Sequence, residues 1–566
     1  MKRKSFVLFA AIIISMLIGL AGCGAIRDGA PAPAAPEVVV SEWDVPDNIT
    51  IWHTTQQLPP WADTWGCLPY WQEVERRLGT NIEFYMVPGG PGWGEANTQI
   101  HLMIAANTYP ELVVWAWGGM NRVQLLDEGT LIDLSQFVRD GTMPALANLL
   151  NNNPDVRRQM AADDDGRIAN LGNISLDEEM RMIRGWAVRQ DWLDNLGLDI
   201  PTNTDEFYDV LQAFRTGDPT GTGREVIPLG AIGWNGLGWT DAGLHYISGA
   251  FGINGQSVHE GKFVVNGQLR IGMLEPEFTE VLAFSRMLFE HGLIDPDFGN
   301  MVPDERNVKI QNSEIGMFPA NFWELTDIIR HTSENDPTAR FSGIPHLRNS
   351  FDGSNYFFDW RSVALIGGTP IAMTGNAQDP EGLARFLDFF YTEEGMVLGN
   401  YGIEGWSFFV NDRGERVLYT VELFDLLPAG ATRDAGQLQT YFYPATIPPV
   451  SPVVGMGSAW MQKMGIPESR AIVNEFQVAD KSRTVNSNLI NSLRNTEEFE
   501  RTAEIMEAIA AGTAIGGLTT DEIINQIITG EEPLSVWDNV LADMRRAGID
   551  EYLQIMQGVF DRFMAR

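Results

Sequence analysis

Cysteine is almost absent from this 566-residue chain, which has only Cys23 and Cys67. That excludes a disulfide-built scaffold and a multi-thiolate metal site. Positive charge is scarce too, with 39 lysines and arginines against 75 aspartates and glutamates, a formal net charge of −36. Recognition of a phosphate backbone needs a basic surface, so a nucleic-acid partner is excluded. There are seven histidines, and none pair at metal-ligand spacing. His-Glu-x-x-His, Cys-x-x-Cys and Gly-x-Ser-x-Gly are all missing. The nearest phosphate-loop lookalike, Gly255 to Lys262, has five residues between its glycines and Phe263 where a hydroxyl is needed, so it reads as a turn entering a strand. After residue 20 no apolar run reaches the 18 or so residues of a membrane span.

What is present is a globular composition, 44% apolar and 20% charged, long enough for two or three domains of roughly 100–200 residues. Lys2, Arg3 and Lys4 precede an apolar run from Phe6 to Leu20. As a helix that run reaches about 22 Å, short of the roughly 30 Å hydrocarbon core, and suits a signal peptide. It ends in Leu20-Ala21-Gly22-Cys23, which resembles the bacterial lipoprotein lipobox, whose cysteine is acylated and becomes the mature N-terminus. An ordinary secretory signal with an incidental cysteine is the alternative. Residues 1–22 are therefore read as a signal peptide and 23–44, with Ala30-Pro31-Ala32-Pro33-Ala34-Ala35-Pro36, as a tether on the extracytoplasmic face of the cell membrane. Cys67 is left as a lone thiol, read as a small buried apolar side chain.

Along the mature chain Ile49–Trp52 is β-prone, Trp71, Val74 and Leu78 have helical spacing, and Asn81–Val87 alternates apolar with polar. Gln99–Asn107 reads as a helix and Glu111–Trp115 as a strand, so crossover units and an α/β sheet are expected. Thr202 with Asp205 forms a capping-box pattern ahead of Phe207, Leu211 and Phe214. Ser535 with Asp538 suggests a capped start for a helix that places Trp537, Val540, Leu541 and Met544 on one face.

Six ordered segments carry a resemblance. The clearest is Val188-Arg189-Gln190-Asp191-Trp192-Leu193-Asp194-Asn195-Leu196-Gly197-Leu198, continuing through Pro201-Thr202 to Phe207. The others are Ala106–Leu112, Gly129–Leu134, Leu387–Gly395, Asn400–Gly405 and Ile528–Trp537. Behind a lipobox, they resemble the long lipoprotein branch of family 1 of the bacterial extracellular solute-binding proteins, which serve carbohydrate ABC importers. The resemblance implies a two-lobed α/β fold of the type II periplasmic-binding kind, with a hinged cleft. It implies lobe 1 from residues 45–172 and 368–445, and lobe 2 from 173–367 and 446–566, with chain crossings near 170–176, 364–372 and 440–455. It also implies a monomer, a carbohydrate ligand and the transmembrane subunits of an ABC permease as partner. Relatives of this branch often carry an EF-hand-like calcium loop after the Phe207 helix. Here Asp218, Thr220, Thr222 and Glu225 occupy it, two carboxylates where Ca²⁺ wants six to eight oxygens, so no metal or other cofactor is expected.

Seventeen tryptophans then gain a use. A pyranose offers an apolar face to a flat ring and hydroxyls to Asn, Asp, Glu and Arg. Tryptophans in loops among glycine or polar neighbours are the candidates: Trp61, Trp65, Trp93, Trp117 (paired with Trp115), Trp234, Trp239, Trp323, Trp360 and Trp406, with Asp63, Asn321 and Glu404 as hydroxyl partners. Trp71, Trp192, Trp460 and Trp537 read as helix-face core. No catalytic residues are assigned, since pure binding needs no nucleophile. An extracellular saccharide-processing enzyme with a carboxylate pair, and a sensor signalling to a membrane kinase, are the competing readings.

Overall fold

A computed structural model of the chain describes residues 43–566 except 56–57, 59–61, 89–93, 115–119, 179–180, 182–183, 237–241, 350–351, 359–362, 420–452, 457–458, 460–461, 463–466 and 513–517. Two sheets carry it. In chain order β1 (Asn48–Thr54), β2 (Asn81–Val87), β3 (Leu112–Val114) and β4 (Leu171–Ile174) enter the first sheet, and β5 (Arg184–Arg189) and β6 (Ile227–Leu229) the second. A hairpin of β7 (Lys262–Val265) and β8 (Gln268–Ile271) follows, then β9 (Ile315–Asn321) and β10 (Phe341–Ile344) of the second sheet. The chain returns to the first sheet with β11 (Ile366–Met373), makes a hairpin of β12 (Phe408–Val410) and β13 (Arg416–Leu418), and adds β14 (Val453–Val454) to the first sheet.

The first sheet runs β14-β4-β11-β3-β1-β2 with only β11 antiparallel to its neighbours, and the second runs β10-β5-β9-β6 with only β5 antiparallel. Each sheet has its own apolar core. Ile49, Ile51, Trp71, Leu171, Phe386 and Val454 belong to one, and Trp186, Phe207, Trp234, Phe278, Ile490 and Trp537 to the other. The result is a two-lobed α/β molecule. Some boundaries differ from the expected ones. β4 runs to 174 and β11 starts at 366, and β14, expected in lobe 2, pairs with β4 in lobe 1. The reason is register: β14 aligns Val453 with Asn173 and Val454 with Ile174, which extends the first sheet by one strand.

Local chemistry accounts for most elements. The helix Pro69–Leu78 buries Tyr70, Trp71, Val74 and Leu78 and stops at Gly79, whose φ of 67° a side chain would resist. Asn203, not Thr202, caps the helix Thr204–Thr216: its side chain accepts from Glu206 N–H, while the Glu206 carboxylate accepts from Thr202 N–H and O–H. Ser535 precedes the helix Val536–Ala547 without capping it through its side chain. The Arg189-x-Asp191-Trp192 signature is a corner clamp. Arg189, 1% exposed, forks onto Asp191 at 2.9 and 2.7 Å, reaches Asp336 at 2.8 Å and lies 5.0 Å over the Trp192 ring. Cys67 is buried as expected.

Candidate functional site

In open α/β sheets ligands bind outside the carboxyl ends of the parallel strands. In the first lobe those ends are His53 and Thr54 on β1, Val114 on β3 and Ile174 on β4. The register sets β4 forward: Leu171 stands level with Ile371, which pairs with Val114, so β4 starts where β3 stops. Asn170, just before β4, is thereby brought to the edge that β3 leaves.

Apolar alternation fills the lobe with Ile49 and Ile51 and then hands over to polar residues at this edge. His53 is fully buried and its ring nitrogen Nδ1 lies 3.0 Å from Thr54 O, so Nδ1–H donates and Nε2 is a bare acceptor. Burial holds His53 down at about 4, the carbonyl opposing this, so the ring is neutral at physiological pH. Among the described residues His53 Nε2, Thr54 Oγ1 and Asn170 Nδ2 are buried with no hydrogen-bond partner. Buried polar atoms are nearly always paired, and each one left unpaired costs about 1–3 kcal/mol. His53 and Thr54 end β1 and Asn170 precedes β4, with β11 and β3 between them, so the three lie along one end of the first sheet and offer polar atoms that an outside partner can satisfy.

Helix Arg122–Asp127 follows the segment after β3, and its cap Asn121 accepts from Val123 N–H and Gln124 N–H. Arg122 donates from Nη1 to Asn170 Oδ1 at 3.2 Å and from Nη2 to Ser492 Oγ at 2.5 Å. Ser492 lies between Ile490 and Leu493 of the second core, so this guanidinium spans the two lobes. Asn121 Nδ2 makes a parallel reach to Thr496 Oγ1 at 3.2 Å. In the second lobe, Arg184 at the start of β5 stands opposite Asn321 at the carboxyl end of β9, and Trp234 and Asn235 follow β6. Asn235 donates to both Asp521 oxygens at 2.9 Å and keeps a buried oxygen unpaired.

The expected ligand residues divide. Trp65 and Trp234 are wholly buried with indole N–H groups bonded to backbone carbonyls, Trp65 to Thr54 and Trp234 to Gly255 and Gln256. Neither offers a face to a sugar, which corrects both assignments: each sits in its lobe's core beside an aromatic partner, His53 at 5.0 Å for Trp65 and Phe278 at 5.4 Å for Trp234. Asn321 is 1% exposed and accepts from Glu324 N–H at 3.2 Å, capping the helix Phe322–Asn335, so its carbonyl oxygen is committed to structure. Trp406 is half-buried against the first core, and Asp63 and Glu404 are exposed. Trp323 lies in the first turn of the helix that Asn321 caps. Trp61, Trp93, Trp117, Trp239 and Trp360, with Trp115, fall outside the described residues, as do Cys23 and Trp460. His53, Thr54, Arg122 and Asn170 were not anticipated. The signal for the first two was the change from apolar to polar residues at the end of a strand.

The degenerate calcium loop folds around its own acid. Asp218 Oδ1 accepts from Thr222 N–H and Gly223 N–H at 3.1 and 3.0 Å, Oδ2 accepts from Gly223 at 3.0 Å, and Thr220 and Thr222 share a bond of 2.7 Å. Glu225 is exposed. Among the described residues no three His, Cys, Asp or Glu side chains are grouped to hold a metal ion, and no helix is long and apolar enough to cross a membrane.

Residues 71–397 match the family described as bacterial extracellular solute-binding protein. Among curated relatives, the lipoprotein LipO of Bacillus subtilis is 24% identical over 61% of this chain and 64% of its own length. The fructooligosaccharide ABC transporter substrate-binding protein FusA of Streptococcus pneumoniae is 23% identical over 100% of this chain and 99% of its own. The polygalacturonan/rhamnogalacturonan-binding protein YtcQ of B. subtilis is 22% identical over 93% and 95%. The solved structure of FusA with kestose superposes with a TM-score of 0.66 at 20% identity, covering 92% of this chain and 99% of that one.

Proposed function

From the premise that this chain belongs to the bacterial extracellular solute-binding protein family, we propose that it captures an oligosaccharide between the carboxyl edges of its two sheets and passes it unchanged to an ABC importer's transmembrane subunits. The observation that carries this reading is the trio of buried, unpartnered polar atoms on His53, Thr54 and Asn170. A sugar rim of hydroxyls supplies donors to His53 Nε2 and acceptors to Asn170 Nδ2, and Thr54 accepts or donates as required. The names of FusA and YtcQ, both oligo- or polysaccharide binders, point the same way. Trp323, Trp406, Asp63, Glu404 and the loop tryptophans Trp61, Trp93, Trp117, Trp239 and Trp360 are proposed as ring and hydroxyl contacts.

Binding of this kind works by population shift, in which the ligand gains more contacts in the closed state than in the open one. Among the described residues the bonds that join the lobes include exposed ion pairs, Arg566 to Asp164 at 2.7 Å and Arg562 to Asp164 at 3.5 Å, beside the neutral bonds Arg122 to Ser492 and Asn121 to Thr496. An exposed ion pair contributes about 0–1 kcal/mol, so such ties leave the hinge free to open. No step in this cycle needs a nucleophile. The test is a glycan panel read by tryptophan fluorescence and by product analysis. A saturable response with intact sugar is expected, and released saccharide would establish the enzyme reading instead.

We further propose that Cys23 carries a lipid that holds the mature chain to the outer face of the membrane. A second reading places Cys67 in a disulfide. Cys23 is the only other cysteine, and one sulfur cannot carry both a thioether lipid and a disulfide. The intact mass of the mature chain, with and without reductant, decides: an acylated N-terminal cysteine with a free Cys67 is expected, and a reducible, lipid-free species would overturn the anchor.

A further inference from the structure

The chain carries a large negative excess, yet Arg122 is held where the lobes meet with only neutral partners among the described residues. Among the described residues Arg122 is in no ion pair, and its two bonds go to a neutral amide and a neutral hydroxyl. Arg494 donates from Nε to Asn491 O at 2.6 Å, the residue beside the Ser492 that Arg122 holds, and from Nη1 to Thr502 Oγ1, and lies 4.8 Å over the Phe499 ring with the Glu498 charge nearby. Lys262 is fully buried, donates to His259 O at 2.5 Å and sits 5.3 Å over the Tyr552 ring, while His259 is itself bonded to Asn491 at 2.9 Å. Neither Arg494 nor Lys262 has a carboxylate within ion-pair distance among the described residues. Burial holds Arg122 down at about 10 and, with the Arg494 charge and against that of Glu260, Lys262 at about 7. Both shifts mean that the chain's own groups under-stabilise the cationic form.

Elsewhere the molecule does not tolerate this. The buried Arg189 and Arg306 each grip a carboxylate, Arg189 on Asp191 and Asp336 and Arg306 on Glu324 at 2.7 Å. Desolvating a cation without an acid is costly unless the acid comes from outside. Arg122 and Arg494 keep part of their surface accessible, and the unpartnered Asn170 amide, 7% exposed, lies against Arg122 with a donor to spare. A planar guanidinium beside an amide N–H presents donors in the plane that a carboxylate accepts.

We propose that Arg122, with Asn170 beside it, binds the carboxylate of an acidic oligosaccharide, one built from uronate units. This deepens the reading of the chain as an oligosaccharide-binding protein and rests on it. Because Arg122 also reaches Ser492 of the second lobe, an acid held there is gripped where the two lobes meet, so the same contact also rewards closure.

The test uses the purified mature chain and calorimetry with matched pairs: oligomers of galacturonate, mannuronate and glucuronate, each beside its carboxyl-reduced counterpart. At least one acidic oligomer is expected to bind tenfold or more tighter than its reduced partner, with affinity falling as salt is raised while the neutral partner's does not. Arg122→Gln is expected to abolish that preference, and Arg122→Lys to keep part of it. Melting of each variant shows whether it folds, and the wild-type pairs and their salt dependence decide the matter without any variant. Tighter binding of the reduced sugar in every pair overturns the proposal and leaves oligosaccharide capture standing. Failure to bind any sugar, neutral or acidic, overturns both.

Discussion

Two arginines with opposite surroundings separate what holds this protein together from what it holds. Arg189, at the end of β5, has Asp191, Asp336, Ser313 and the Trp192 face around it, and every donor has a purpose within the lobe. Arg122, between the lobes, has an amide and a hydroxyl and no acid. The first is a closed circuit whose value is structural. The second is an open one, and it lies where the parallel strands of the first sheet end, beside the Asn170 amide, which lacks a partner among the described residues. Satisfied polar networks rigidify, and unsatisfied ones in a native fold call for an explanation outside the fold.

The largest effect should come from breaking the closed circuit. Arg189→Ala leaves Asp191 and Asp336 facing each other without a cation and is expected to cost about 3–5 kcal/mol in denaturant unfolding, with the sugar preference of whatever folds unchanged. Acid should open the same circuit in the wild type. Burial raises Asp336, but bonds from Thr338, Ser313 and Arg189 and the Arg189 charge outweigh it and hold the carboxyl at about 2. A carboxylate depressed in the folded state contributes stability above its unfolded pKa, so this share is present above about pH 4 and lost as pH falls toward 2. A flat acid limb between those values in Asp336→Asn, set against a sloping one in the wild type, is the expected signature.

A second loss should come from the edge beside the open circuit. His53 is held at about 4 against a usual 6.5, by burial against the opposing Thr54 bond. Below pH 6.5 the unfolded chain takes a proton that the folded ring refuses, so stability is full above that pH and declines toward 4. His259 is lowered to about 4 as well, by burial, Lys262 and Arg494, and adds to the slope. The expected loss by pH 4.5 is about 2–3 kcal/mol per ring. His53→Phe should remove one share of that pH dependence and weaken sugar binding at neutral pH, as measured by melting curves and calorimetry.

These contrasts show which parts of the molecule were legible in the sequence. Elements with local periodicity were: β1, β2, β3, the helix Pro69–Leu78 and the hairpin at Lys262 all lie where alternation and helical spacing put them. The family fold was legible because short signatures survive as structure. The Arg-x-Asp-Trp-Leu segment is the clamp around Arg189, retained for folding rather than for the ligand. The candidate site was less legible. A loop tryptophan among glycines looks the same in sequence whether its face is open, as a sugar needs, or sealed, as at Trp65 and Trp234. Asn170 and Ser492 meet Arg122 only through register and chain return, across separations of 48 and 370 residues. The two-residue β14 carries no periodicity at all, and its place beside β4 is fixed by sheet pairing alone.

A smaller effect tests the contrast directly. Arg122→Gln removes an under-stabilised cation and keeps an amide able to reach Asn170 or Ser492. Relief of desolvation should offset much of the lost bonding, leaving unfolding within about 1 kcal/mol of the wild type. A loss as large as that of Arg189→Ala would make Arg122 a second structural clamp and erase the distinction.

The smallest effect concerns the inverse case, an acid without a cation. Asp218 has lost the neighbouring carboxylates a calcium loop needs, and its oxygens accept from Thr222 and Gly223 N–H groups instead. Backbone dipoles replace the ion, as an Asx turn replaces a longer-range partner. The loop is exposed and Asp218 sits at φ 49°, a conformation asparagine also accepts. Asp218→Asn retains one carbonyl acceptor and should therefore cost no more than about 0.5 kcal/mol. Millimolar Ca²⁺ should leave the melting temperature of wild type and variant alike unchanged. A calcium-dependent rise seen in the wild type and absent in Asp218→Asn would mean that Thr220 and Thr222 suffice as ligands, and that an unpaired charge in this fold is no guide to what it binds.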